Sequence, residues 1–156
     1  MRCLIILPIV VLASGCSFSP VQQQLPSPKT RSPADFVGCW YGEDFQPVFK
    51  QTSAWLMRRQ PTGAFSIAFW TWAPNGILTK QVEAGRWSVA EKTYTTITTE
   101  IDQKKLDKSY IDVYDIVEFD GNEMTYFQPQ AKAMFKSKKV SCDFVPPSPQ
   151  LPKSSG

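Results

Sequence analysis

Short runs of aromatic and β-branched side chains, separated by turn residues, restrict the fold of this chain more than any other feature. No stretch has a convincing 3.6-residue apolar period, so long amphipathic helices are not expected. The runs predict strands near 36–41, 52–59, 64–72, 80–89, 93–101, 109–119, 123–128 and 133–142. About eight short antiparallel strands with hairpin links predict an all-β fold, a single up-and-down barrel whose closure removes exposed strand edges.

Alternation within the strands predicts which side chains share a face. Phe65, Ile67 and Phe69 fall on one face of the third strand. In the sixth strand the predicted apolar face holds Ile111, Val113, Val117 and Phe119, interrupted by Asp115. A buried carboxylate needs a partner, so an inward-facing arginine among Arg58, Arg59 and Arg86 would either pair with Asp115 or hold an anionic ligand group.

The first fifteen residues have the order of a secretory signal peptide. Arg2 precedes an apolar run over 3–12, and small residues follow at 13–15. A membrane-spanning helix needs about 20 apolar residues, so this run is too short to cross a bilayer. We therefore expect residues 1–15 to be a leader that directs export.

The segment 12–16 (LASGC) resembles the lipobox of bacterial lipoproteins, although Ala13 stands where a larger aliphatic residue is commoner. The resemblance implies cleavage before Cys16 and attachment of palmitate-type acyl chains to it. Two or more such chains anchor a protein stably. Ser17 follows the cysteine, which by resemblance favours the outer membrane, facing the periplasm. The alternative is an ordinary signal peptide that releases a soluble protein.

Composition divides the rest of the chain. Residues 16–34 are rich in Pro, Ser and Gln and predict a flexible, lipid-anchored linker, whereas 35–144 predict the barrel domain. Residues 145–156 (VPPSPQLPKSSG) predict a disordered Pro-rich tail.

Two cysteines remain for the barrel, Cys39 near its start and Cys142 near its end. In an exported protein they are a natural disulfide pair. If the first and last strands meet to close the barrel, the two become neighbours. Two lone cysteines in a chain without histidine lack the clustering that a zinc site needs, so no metal is expected.

The segment 36–41 (FVGCWY) is similar to the Gly-x-Trp opening of lipocalins and the wider calycin superfamily, and 84–87 (AGRW) contains a second Gly-x-Trp. The resemblance implies a small calycin-like barrel in which Trp40 packs across the closed end, with Lys138 or Lys139 stacked on it. The chain is shorter than a true lipocalin, and the later lipocalin signatures are missing from it. Ligand binding is therefore implied less firmly than the fold.

Several function classes are disfavoured. The chain has no histidine, which excludes Ser-His-Asp and Cys-His catalysis, and no motif selects a pair of acids for glycoside hydrolysis. It carries no nucleotide-binding fingerprint, so neither an enzyme nor a cofactor is expected. The net charge of +3 is too small to predict nucleic-acid binding.

The many aromatic side chains leave two hypotheses. One is a binding module for a small apolar or amphiphilic ligand in the cell envelope. Its candidate contacts are Trp55, Arg58, Trp70, Trp72, Arg86, Trp87, Tyr114 and Tyr126. The other is a filled barrel that recognises or inhibits an envelope protein through Trp70, Trp72 and a long loop at 101–109, in which case the rings are plain core.

Overall fold

A computed structural model of the chain describes residues 31–46 and 50–147. The elements are a 3-10 helix (Pro33–Phe36) followed by β1 (Gly38–Gln46), β2 (Gln51–Arg59), β3 (Ala64–Trp72), β4 (Leu78–Ala90), β5 (Thr93–Ile101), β6 (Lys104–Phe119), β7 (Glu123–Gln128) and β8 (Ala133–Val140). The strands pair in chain order, all antiparallel, and β8 pairs with β1 to close the barrel. The predicted all-β fold, a single up-and-down antiparallel barrel of eight strands, is confirmed.

The predicted leader (1–15), Cys16 and the linker up to residue 30 lie outside the described residues, as do 148–156 of the predicted tail. Export, lipidation and outer-membrane location therefore stay predictions. Pro33 and Ala34, which we assigned to the linker, belong to the 3-10 helix. In the part of the chain that the structure covers, no helix is long and apolar enough to cross a membrane.

The 3-10 helix closes one end of the barrel. Ser32 caps it, since its side chain accepts a hydrogen bond from the Ala34 amide while Asp35 accepts one from the Ser32 amide. The helix buries Phe36 completely and stacks its ring on Phe119, with the ring centres 4.2 Å apart. We call this the closed end.

Trp40 lies across the closed end, as the Gly-x-Trp resemblance implies. Its indole nitrogen donates to the Phe36 carbonyl oxygen at 2.9 Å. The Lys139 ammonium lies 5.5 Å from the centre of the Trp40 ring, whereas Lys138 lies over Tyr41 on the outer face. The predicted stacking partner is thus Lys139.

Two glycines permit close approaches between strands. A Cβ at Gly42 would collide with the Trp55 ring and would lie 2.6 Å from a backbone oxygen of β8. A Cβ at Gly85 would collide with the backbone of Ile97 on β5. Gly85 stands at a break in the β4–β5 register, which indicates a β-bulge that bends β4 around the barrel.

The predicted disulfide between Cys39 and Cys142 is confirmed, with the two Cα atoms 5.2 Å apart. Cys39 lies on β1, and Cys142 follows shortly after the end of β8. The bond therefore fastens the seam at which the barrel closes.

Two expectations about β6 are wrong. The strand begins at Lys104, so the long loop expected at 101–109 is a two-residue turn in which Asp102 and Gln103 have φ of 48° and 65°. The expected inward face is also reversed over most of the strand. Ile111 and Val117 are exposed, while Ile116 is buried in the core. A register shift between Ile116 and Glu118 brings the side chain of Phe119 back to the core.

The expected ion pair of Asp115 is wrong for the same reason. Asp115 is exposed, because it belongs to the outward-facing set of β6, and it makes no salt bridge with a described residue. It needs no buried partner.

Candidate ligand cavity

The barrel interior contains a cavity of about 240 Å³ to which all eight strands contribute side chains. The side chains point inward because they occupy alternate positions of each strand, such as Trp55, Met57 and Arg59 on β2. Phe65, Ile67 and Phe69 do the same on β3, as their alternation predicts.

Five rings form a continuous wall on one side of the cavity; we call them the aromatic wall. They are Trp55, Tyr94, Tyr114, Tyr126 and Phe135. Successive ring centres along the wall lie 5.3 to 5.8 Å apart, in stacked and edge-to-face pairs. Such pairs stabilise one another and line this side of the cavity with aromatic rings.

Burial raises the pKa of the Tyr94, Tyr114 and Tyr126 phenols above the usual range. For Tyr114 the nearby Asp112 carboxylate raises the pKa further, whereas the Arg59 guanidinium opposes the rise at Tyr126. The three phenols are therefore neutral at physiological pH and face the cavity as apolar rings with a hydroxyl group.

Arg59 supplies a positive charge toward the closed end. Only 4% of its surface is exposed. Its Nε donates to the Tyr94 hydroxyl oxygen at 3.2 Å, and its guanidinium carbon lies 4.4 Å from the Tyr94 ring centre and 5.5 Å from that of Trp40. The Nη1 atom is buried and has no hydrogen-bond partner among the described residues.

Two partly exposed carboxylates line the cavity further from the closed end, and both accept hydrogen bonds from neighbouring side chains. Glu83 accepts from the Thr98 hydroxyl at 3.2 Å and from the Gln81 amide at 2.8 Å. Asp112 accepts from the Gln128 amide at 2.8 Å. These two acids mark the open side of the cavity, since Gln128 ends β7 at the edge opposite the 3-10 helix.

Of the predicted ligand contacts, the structure brings Trp55, Tyr114 and Tyr126 together around the cavity. It places Arg58 and Arg86 outside, with exposed side chains that point away from the interior. Arg86 donates through Nη2 to the Thr62 carbonyl oxygen at 3.4 Å.

The three remaining predicted tryptophans also lie outside the cavity lining. Trp87 is buried at the closed end, where its indole nitrogen donates to the Gln60 carbonyl oxygen at 3.1 Å. Trp70 and Trp72 lie on the outer face of β3, packed against Tyr41 and its buried neighbours. The outer position removes both tryptophans from the cavity, and their side chains are half-buried in this outer cluster.

The predicted contacts do not include Glu83, Asp112 or Tyr94, and Arg59 is named only as one of three arginines that would hold an anionic group if inward facing. A signal for Arg59 existed, because strict alternation from Trp55 puts Arg59 on the inner face and Arg58 on the outer one. No comparable signal marked Asp112, because both faces of β6 carry apolar side chains.

The arrangement is suited to binding. Aromatic and aliphatic walls with a few fixed polar groups are typical of small-molecule sites. Among residues 31–46 and 50–147 there is no group of three His, Cys, Asp or Glu side chains that would hold a metal ion.

No protein-family model and no curated protein matches the sequence. Among solved structures, a selenomethionine derivative of a biogenic amine-binding protein is similar, with a TM-score of 0.45 and 16% identity over 70% of this chain and 65% of that one. The tryptamine complex of the amine-binding protein of Rhodnius prolixus has a TM-score of 0.40 and 15% identity over 65% of this chain and 60% of that one. This chain thus spans less than two thirds of either protein's length.

Proposed function

We propose that this protein is a lipocalin-like binding protein that holds one small amphiphilic molecule inside its barrel. The observation that carries the proposal is the cavity of about 240 Å³ between the aromatic wall and Arg59. A cavity of about 150 Å³ lined by apolar side chains is enough for benzene. We therefore expect a ligand of about one ring with a short polar substituent, and not a long acyl chain.

We propose binding without catalysis. The chain has no histidine, and its two inner carboxylates, Glu83 and Asp112, are each held by hydrogen bonds from neighbouring side chains. The cavity also disfavours the filled barrel of the alternative hypothesis.

Intrinsic fluorescence tests the proposal, because Trp40 and Trp55 both line the cavity. Titration with a panel of single-ring acids, amines and neutral compounds is expected to change the emission saturably for at least one of them. Isothermal titration calorimetry would give the stoichiometry, expected to be one ligand per chain.

A matched pair of variants locates the site. Ile67→Trp adds bulk inside the cavity, and Ile111→Trp makes the same change on an exposed outer position. The inner change is expected to weaken binding at least about tenfold, while the outer change leaves it as in the wild type. If no compound binds, or if both variants bind equally well, the cavity is not a ligand site.

We also propose that the protein is anchored to the outer membrane through Cys16, with the barrel in the periplasm. The segment 12–16 and Ser17 support this. Cells fed labelled palmitate are expected to label the wild type and Cys3→Ala, but not Cys16→Ala, and only the unlabelled variant should leave the membrane fraction. Ser17→Asp is expected to move the protein to the inner membrane. Identical size and fractionation of wild type and Cys16→Ala would refute anchoring without affecting the ligand proposal.

A further inference from the structure

The polar side chains that line the cavity differ in whether the protein itself supplies their hydrogen-bond partners. Arg59 is 4% exposed, keeps its positive charge inside the barrel, and leaves its buried Nη1 without a hydrogen-bond partner. A buried charged donor without an acceptor is costly, more so than an unpaired neutral one. The fold therefore holds an unsatisfied cation at the inner end of a cavity.

Nothing in the described part of the chain neutralises this charge. Its hydrogen-bond partner, the Tyr94 hydroxyl, is neutral, and Arg59 makes no salt bridge with any described carboxylate. The faces of the Tyr94, Trp40 and Trp87 rings attract the guanidinium, with ring centres at 4.4, 5.5 and 6.0 Å, but a ring face does not accept the Nη1 hydrogen bond as an oxygen does. These rings fix the guanidinium in place at the cavity lining and leave its charge without an acceptor oxygen from the protein at Nη1.

The two acids that line the cavity, in contrast to Arg59, already accept hydrogen bonds from the protein. Glu83 accepts from Thr98 and Gln81, and Asp112 accepts from Gln128. Because these carboxylates already have donors, the charged group of the cavity that lacks a partner is the guanidinium; the neutral Ser137 hydroxyl, which also lines the cavity, has no hydrogen-bond partner either. The cavity therefore favours a ligand with a hydrogen-bond acceptor at the closed end over a ligand with a hydrogen-bond donor at the open side.

We propose that the ligand is an aromatic carboxylate of about one ring. Its carboxylate accepts a charge-assisted hydrogen bond from the Arg59 guanidinium, and its ring lies against the aromatic wall. This inference rests on the proposed function and names the chemical class of its ligand. A hydrogen bond to a charged group is worth enough to favour the carboxylate over a neutral isostere by about tenfold or more.

Calorimetric titration at pH 7 with three probes of the same skeleton tests this directly. The probes are 3-phenylpropionate, 3-phenylpropionamide and 3-phenylpropylamine, which share the ring and the chain length and differ in charge. We expect the carboxylate to bind at least about tenfold more tightly than the amide. The amine is expected to bind most weakly, because its ammonium would meet the guanidinium.

Two variants assign the preference to one side chain. Arg59→Met removes the buried charge, whereas Arg58→Met makes the same change on the outer face of the same strand. Arg59→Met is expected to reduce the ratio of the affinities for the carboxylate and the amide to near one. Arg58→Met is expected to leave this ratio unchanged. If Arg59→Met does not fold, the comparison of the three probes on the wild type still decides the preference.

The outcomes separate the two proposals. Equal affinity for carboxylate and amide, or tightest binding of the amine, overturns the anionic ligand while small-molecule binding in the barrel stands. An unchanged ratio in Arg59→Met overturns the role of Arg59. If none of the three probes nor any member of the wider panel binds, the proposed function itself fails.

Discussion

Loss of the Cys39–Cys142 disulfide is expected to destabilise this barrel by several kcal/mol, about 2–5. The two cysteines are 103 residues apart in sequence, so the bond restricts a large loop in the unfolded chain. For a loop of about 100 residues the chain-entropy model gives about 4.7 kcal/mol, and measured effects are often smaller. β1 pairs with β8 from Cys39↔Val140 to Gly42↔Ser137, but with β2 along its full length, so the bond reinforces the shorter seam.

Denaturation in guanidinium chloride, followed by tryptophan fluorescence with and without a thiol-free reductant, measures the effect. We expect reduction to lower the free energy of unfolding by about 2–5 kcal/mol. With a slope of about 4 kcal/mol per molar, the midpoint should fall by roughly 0.5–1.2 M. The double variant Cys39→Ala/Cys142→Ala is the control, and its midpoint should not respond to reductant. Equal midpoints for oxidised and reduced wild type would refute the reasoning.

Two further predictions follow from the packing. Gly42→Ala forces a Cβ against the Trp55 ring and a backbone oxygen of β8. It should lower the free energy of unfolding by about 1–3 kcal/mol in the same denaturation assay, and an unchanged midpoint would contradict this close contact. Burial raises the pKa of Tyr41, Tyr94, Tyr114 and Tyr126, so above about pH 10 these phenols ionise in the unfolded chain first. The three cavity phenols alone should contribute a loss of stability of about 4 kcal/mol between pH 8 and pH 11. Tyr114→Phe should reduce that loss by about a third, and an identical loss in the variant would argue against its buried phenol.

The eight strands were predictable because each is a local pattern. β3, β5 and β7 begin and end where the alternation and the turn residues place them. The error at the start of β6 concerns 104–108, a lysine-rich segment that lies within the loop predicted at 101–109. Asp102 and Gln103 just before this segment both adopt positive φ, so the chain reverses within two residues. The charged segment 104–108 therefore continues as an exposed strand.

The sequence by itself determined the strand order, the antiparallel barrel and the Cys39–Cys142 pairing, since these depend on period-two patterns and on closure between the chain's own ends. Only the tertiary structure decided which face of each strand is inside when both faces carry apolar groups, as in β6. It also decided that the facing side chains leave a cavity of about 240 Å³ and that Arg59 rather than Arg58 carries its charge there. The reason is that the volume and polarity of the barrel interior depend on side chains from all eight strands. Whether an inward-facing polar side chain finds a hydrogen-bond partner therefore depends on residues that are distant from it in sequence.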